Sequence, residues 1–211
     1  MTELLYDFGS GRSDPGNFPT KALKAAALKV LDEQSDEINN YPGSLGHLGM
    51  RQAMAQREST RESVTVDPEH IVLTNGSMQV VTLTAEALMD YPGDSVIIEE
   101  FSYPGTLSAY RSLKYNMVGI KLDEGGMRMD HLEEQLHRLN NEGKLPKFIY
   151  AISTYQNPTG FVMPKARRLD MIALARRYDI PIVEDNCYAD VHYDGHVEPA
   201  VYALDDNPNH I

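Results

Sequence analysis

The sequence predicts an α/β fold built around a mostly parallel sheet. Short apolar stretches alternate along it with segments of helical spacing about ten to fifteen residues long. Some of those stretches, residues 180–183 above all, are almost wholly apolar, as strands covered on both faces must be. Turn-forming residues gather between them, as in Pro92-Gly93-Asp94.

After an extended opening, residues 20–36 have apolar side chains at helical spacing, with Pro19 near the first turn. Residues 39–49, rich in Gly and Pro, predict a loop, and 50–60 a second helix. The alternation then begins. Residues 71–74 predict a strand, 77–89 a helix and 95–99 a strand. Residues 106–113 follow as a helix and 117–122 as an extended segment. A helix over 130–140 is expected to be capped by an acid, followed by a strand at 148–153, a helix at 164–178 and a strand at 180–184. Residues 205–211 follow without any closing element, an ending expected of an incomplete domain.

A chain of 211 residues forms one large domain or two small ones and buries enough surface to need no disulfide staples. Cys187 is the only cysteine, which excludes an internal disulfide and makes a reducing cytoplasm the expected location. Residues 1–8 lack a basic start followed by an apolar run, so no secretory signal is expected. No stretch is apolar for long enough to span a membrane. The net charge of −12 argues against a nucleic-acid or anionic-membrane partner, because phosphate contact needs clustered Lys and Arg. The densest basic cluster, residues 165–177, is spaced like the wet face of a helix.

Three segments carry chemistry. At Thr74-Asn75-Gly76-Ser77-Met78 a strand, a turn and a helix meet. A glycine there lets backbone N–H groups approach a ligand, and a helix N-terminus favours an anion. Such turns are common, so alone this one points only weakly to phosphate. Tyr155-Gln156-Asn157-Pro158-Thr159-Gly160 follows the apolar run 148–153, at the strand end where open α/β sheets hold ligands. By itself it also reads as a plain turn. Glu184-Asp185-Asn186-Cys187-Tyr188 puts one or two acids beside a phenol at the same rim, where acids also serve as helix caps or metal ligands. His192 and His196 are four apart, but Asp194 and Gly195 between them suggest a turn rather than a metal site. Gly43, Gly46 and Gly49 have the wrong spacing for a dinucleotide fingerprint, and no strand precedes them. Cys187 has no basic partner nearby in sequence and is expected to pack rather than react.

Taken in order, with Ser102-Tyr103-Pro104-Gly105 between the first two, these segments resemble the class I/II aminotransferases of the pyridoxal-phosphate (PLP) fold-type I superfamily. The resemblance covers essentially the whole chain, and Asn157 to Gly160 is its most specific piece. It implies a three-layer α/β/α large domain with a mostly parallel sheet, incomplete here. Residues 1–40 would be an N-terminal arm and the start of a small domain, and 41–211 the incomplete large domain. Asp185 matches the partner of the cofactor's ring nitrogen, keeping that nitrogen protonated and the ring electron-demanding. Asn157 and Tyr188 match the groups that bond the ring's phenolic oxygen, and Tyr103 the aromatic stacked on the ring. Gly76, Ser77 and Met78 match the phosphate cradle. Tyr41 is similar to the tyrosine that reaches a neighbouring subunit's cofactor phosphate, which implies a homodimer with shared sites. Gly11 resembles a backbone contact to the substrate carboxylate, and Arg12 beside it is a candidate for a second, distal carboxylate.

The resemblance implies PLP-dependent exchange of an amino group between an amino acid and a 2-oxo acid. The family's cofactor-holding lysine is expected beyond Tyr188, after a further strand that would begin near His210-Ile211. No lysine in this sequence occupies that place, so the chain alone is expected to be inactive. Alternatives stay open: a PLP-dependent carbon–sulfur β-lyase, a non-catalytic binding domain of the same fold, or the sensing domain of a regulator. The last needs a DNA-binding domain ahead of the opening segment, and none is expected, because Met1 leads into that segment almost at once.

Overall fold

A computed structural model of the chain describes residue 11 and residues 13–206. The chain divides into two compact units, Met1–Ser44 and Leu45–Ile211. In the first, a 3-10 turn at Pro15–Asn17 precedes helix α1 (Thr20–Glu33) and the short α2 (Ser35–Ile38). The predicted single helix is thus broken at Gln34. Leu23, Leu28 and Leu31 on α1 are all exposed.

The second unit opens with α3 (Leu48–Glu62) and a 3-10 turn at Pro68–His70, then α4 (Ser77–Leu88) and β1 (Ser95–Glu99). Next come α5 (Pro104–Ser112), β2 (Asn116–Ile120), and a small antiparallel pair, β3 (Leu122–Asp123) and β4 (Gly126–Met127). Helix α6 (Met129–Asn141), β5 (Ile149–Ala151), α7 (Lys165–Tyr178), β6 (Ile182–Glu184) and the short α8 (Val201–Leu204) complete it. The main sheet has the order β2-β1-β5-β6, and every pairing in it is parallel.

Alternation along the strands divides the core in two. Val96 and Ile98 of β1, with Phe148, Tyr150 and Ile152, pack on one face beside Val81 and Ala85 of α4. Ile97, Ile149, Ala151 and Ile182 pack on the other, against α6 and α7. Helix α6 contributes Leu132, Leu136 and Leu139, one face of its cylinder. The layers are therefore α/β/α, as expected, and the parallel strands put their carboxyl ends along one rim.

Three expectations are corrected. Residues 71–74 join no ladder: the Leu73 N–H donates instead to the Leu45 carbonyl (2.9 Å), and Val72 is exposed. An apolar run states a preference for an extended chain and not which partner it finds. Gly46 permits the approach of Leu45 to Leu73, since a Cβ there would press on the Leu73 side chain. Helix α6 is not capped by Asp130; its N-cap is Arg128, and Asp130 lies in the first turn, paired with Arg128. The basic face of α7 is not all wet, because Arg168 is fully buried. The strand expected at His210-Ile211 lies outside the described residues.

Candidate active site

The carboxyl ends of β1, β5 and β6 and the start of α4 meet around one cavity of about 150 Å3, lined by Ser77, Met78, Val81, Tyr103, Ile152, Asn157, Asp185, Cys187 and Tyr188. Six predicted site residues are among these: Ser77, Met78, Tyr103, Asn157, Asp185 and Tyr188. Gly76, the N-cap of α4, adjoins them with φ +82° and ψ 167°, a conformation open essentially to glycine alone. A Cβ there would meet nothing within 4 Å, and no side chain caps the helix. The first N–H groups of a twelve-residue helix, with the positive end of its dipole, are thus left to an anion.

The ring of Tyr103 folds back over the first turn of α5. Only a glycine at position 105 allows this, since a Cβ there would collide with the ring. Asn157 donates from Nδ2 to the Tyr188 hydroxyl at 3.0 Å, so the Tyr188 proton is free to point elsewhere. Asp185 follows β6 directly; its N–H donates to the Ala151 carbonyl, and its Oδ2 accepts from the Tyr150 phenol at 2.6 Å.

The loop carrying Asn157 is held by Gln156, which is buried. Its Nε2 donates to Glu99 Oε2 (3.1 Å) and to the Phe101 carbonyl (2.6 Å). Its Oε1 accepts from the N–H (3.0 Å) and hydroxyl (2.6 Å) of Thr159. Cys187 is exposed at the cavity wall rather than packed. Partial burial, then the negative Asp185 beside it, pushes its thiol up to about 11, which keeps it protonated and unreactive. Sequence reasoning missed Tyr150, Glu99 and Gln156. The only signal was an amide placed next to Asn157 in a segment otherwise read as a turn.

Gly11 and Tyr41 belong to the first unit and are exposed, Tyr41 completely. Arg12 lies outside the described residues. His192 bonds the Tyr155 hydroxyl at 2.7 Å, and no cluster of metal-ligating side chains occurs among the described residues. Nor is any described helix long and apolar enough to cross a membrane.

A family model described as aminotransferase class I and II matches residues 6–211. The aromatic-amino-acid aminotransferase 1 of Thermococcus litoralis is 32% identical over 205 residues, covering 97% of this chain and 49% of that protein. Among solved structures, an archaeal alanine:glyoxylate aminotransferase superposes with a TM-score of 0.85 at 35% identity, over 93% of this chain and 48% of that one. The kynurenine aminotransferase of Pyrococcus horikoshii, solved in complex with PMP, with KYN as substrate and KYA as product, gives 0.86 at 30% identity, over 93% and 48%. The chain spans about half the length of the relatives it matches.

Proposed function

The chain belongs to the aminotransferase class I and II family, and from that premise we propose that it supplies the cofactor-binding half of a PLP enzyme that exchanges an amino group between an amino acid and a 2-oxo acid. One observation carries the reading: residues up to about a hundred positions apart in sequence line a single cavity whose polar groups suit PLP. An uncapped helix N-terminus suits a phosphate, an aromatic wall suits a ring, and a carboxylate suits a ring nitrogen that carries a proton. The PMP of the Pyrococcus horikoshii structure supports the same cofactor.

When bound, PLP supplies a ring that draws in the electron pair left as the substrate's α-proton departs. This chain's residues prepare the ring for that task. Gly76, Ser77 and Met78 orient the phosphate through backbone N–H groups and the Ser77 hydroxyl. Tyr103 covers one ring face and excludes water. Asp185 holds a proton at the ring nitrogen. Tyr188, its oxygen already accepting from Asn157, directs its own proton to the phenolic oxygen, and Asn157 has a second N–H to add. No lysine lines the cavity among the described residues, so the covalent tether and the base that moves the α-proton lie outside this set. Gly11 and Arg12 are proposed to meet substrate carboxylates. Tyr41, fully exposed, is proposed to reach the cofactor of a second copy, which makes the whole enzyme a homodimer.

The test is to follow PMP binding by fluorescence titration and amino transfer by coupled assay. Asp185→Asn is expected to weaken PMP binding by about tenfold or more, as loss of a charged hydrogen bond does. The complete enzyme is expected to convert an amino acid only when a 2-oxo acid is present. Release of pyruvate and ammonia without an acceptor would establish the β-lyase instead. The 211-residue chain alone is expected to bind PMP and not to turn over.

A further inference from the structure

Asp185 does not stand in the cavity unsupported. Tyr150, on β5, donates its phenolic proton to Asp185 Oδ2 at 2.6 Å, and the same phenolic oxygen lies 3.1 Å from Thr106 Oγ1 on α5. A phenol has one proton. Because that proton is given to the carboxylate, the Thr106 hydroxyl is the donor to Tyr150. The chain of bonds therefore has a direction: Thr106 to Tyr150 to Asp185.

Its three members come from α5, β5 and the segment just after β6, and the first two are fully buried. The Tyr150 ring packs edge-on against Tyr110, with centroids 5.8 Å apart and planes at 89°. It has no room to swing away. Burial first, and the charge of Asp185 second, push the Tyr150 phenol well above its ordinary range. It therefore keeps its proton, and remains a donor, throughout the working pH range.

We propose that Tyr150, backed by Thr106, is a positioning residue that fixes the Asp185 carboxylate so that its other oxygen meets the ring nitrogen of the cofactor. The proposal rests on the reading of Asp185 as the ring-nitrogen partner. A carboxylate just past a strand end is free to rotate, and a charged hydrogen bond has a strongly directional optimum. One fixed oxygen decides where the second one points. Groups behind a ligating residue act in this way at metal sites, by fixing orientation. The competing account is that a buried phenol simply needs an acceptor and Asp185 is the nearest.

The two accounts differ in which ligand senses the loss. PMP binds without a covalent bond. An analogue with carbon in place of the ring nitrogen keeps the phosphate, the phenolic oxygen and the shape, and gives Asp185 nothing to hold. Tyr150→Phe keeps the ring that packs on Tyr110 and removes only the hydroxyl. We expect it to weaken PMP binding about tenfold while changing affinity for the analogue by less than about twofold. Thr106→Val is expected to shift the preference the same way by about threefold, and it carries the comparison if Tyr150→Phe does not fold. Equal loss of both ligands, or loss of neither, overturns the proposal and leaves Tyr150 a packing residue. Asp185→Asn separates the two layers of inference. If that variant retains the parent's preference for PMP over the analogue, the ring-nitrogen reading of Asp185 has failed, and a parent protein that does not bind PMP refutes both.

Discussion

Glu99 ends β1 with its side chain almost wholly buried behind the cavity. Its Oε2 accepts from Gln156 Nε2 and from the Ile152 N–H, while Oε1 has no partner among the described residues. Burial is the main cause, and the negative Asp185 a lesser one, that pushes this carboxyl up from 4.5 to about 7. An acid whose folded value is raised binds its proton more tightly in the folded chain. Its contribution to stability is therefore complete below about pH 4.5 and is lost as pH rises to about 7, at a cost of about 3 kcal/mol in all. Glu99→Gln, which keeps the shape of the neutral acid, should remove that loss. Thermal melts across this range are expected to show the variant gaining on the parent as pH rises, with a level difference above pH 8. A difference that stays flat from pH 4 to 8 would mean that Glu99 is already charged in the fold. None of this was legible in sequence. Asn157, Asp185 and Tyr188 were, because each sits in a recognisable local segment, whereas Glu99 meets Gln156 from 57 positions away.

Helix α7 shows what periodicity conveys at the scale of an element. Its existence and limits follow from the spacing of Met171, Ile172, Leu174 and Ala175, all buried. The inward turn of Arg168 does not, since an arginine at that spacing ordinarily faces water. Its five guanidinium donors are all used: on the Met163, Ser153 and Pro199 carbonyls and on the hydroxyls of Ser153 and Thr154. Glu184 Oε1 lies 3.5 Å away, also buried, and Glu184 Oε2 accepts from the Val201 N–H. One cation thus ties the segment after β5, which leads to Asn157, to the segment after β6, which carries Asp185. Burial works against the charge on both partners, and the pair persists because each is otherwise satisfied. Arg168→Leu would strand the Glu184 carboxylate and is expected to cost about 3–5 kcal/mol in urea unfolding. Arg168→Lys should recover little of that, since an ammonium cannot reach five acceptors. Full stability in either variant would contradict this account.

On the scale of the molecule, the four-stranded sheet is covered on both faces, while some apolar surface remains in water. Val80 and Leu83, on the outer side of α4, are exposed, as is Val72 before it. Strand β6 pairs on one side only among the described residues. Apolar faces and open strand edges both favour association. The 211-residue chain is accordingly expected to elute from size exclusion ahead of a monomer at tens of micromolar, and Leu83→Lys to shift it back. Monomeric elution of the parent chain would show that water tolerates this face.

The sequence alone determined the layered α/β class, the limits of most helices and six of the residues that line the cavity. Those properties are written in short-range pattern: the apolar run of β1, a leucine face on α6, a glycine where only glycine fits before α4. Tertiary structure decided the rest. It brought Ser77 and Asp185 to one cavity, turned Arg168 inward, buried Glu99, set Tyr150 behind Asp185 and left residues 71–74 outside the sheet. The physical reason is that burial and hydrogen-bond partners are properties of packing between distant segments. The same arginine, acid or phenol is compatible in sequence with either water or the core, and only the neighbours supplied by the fold select between them.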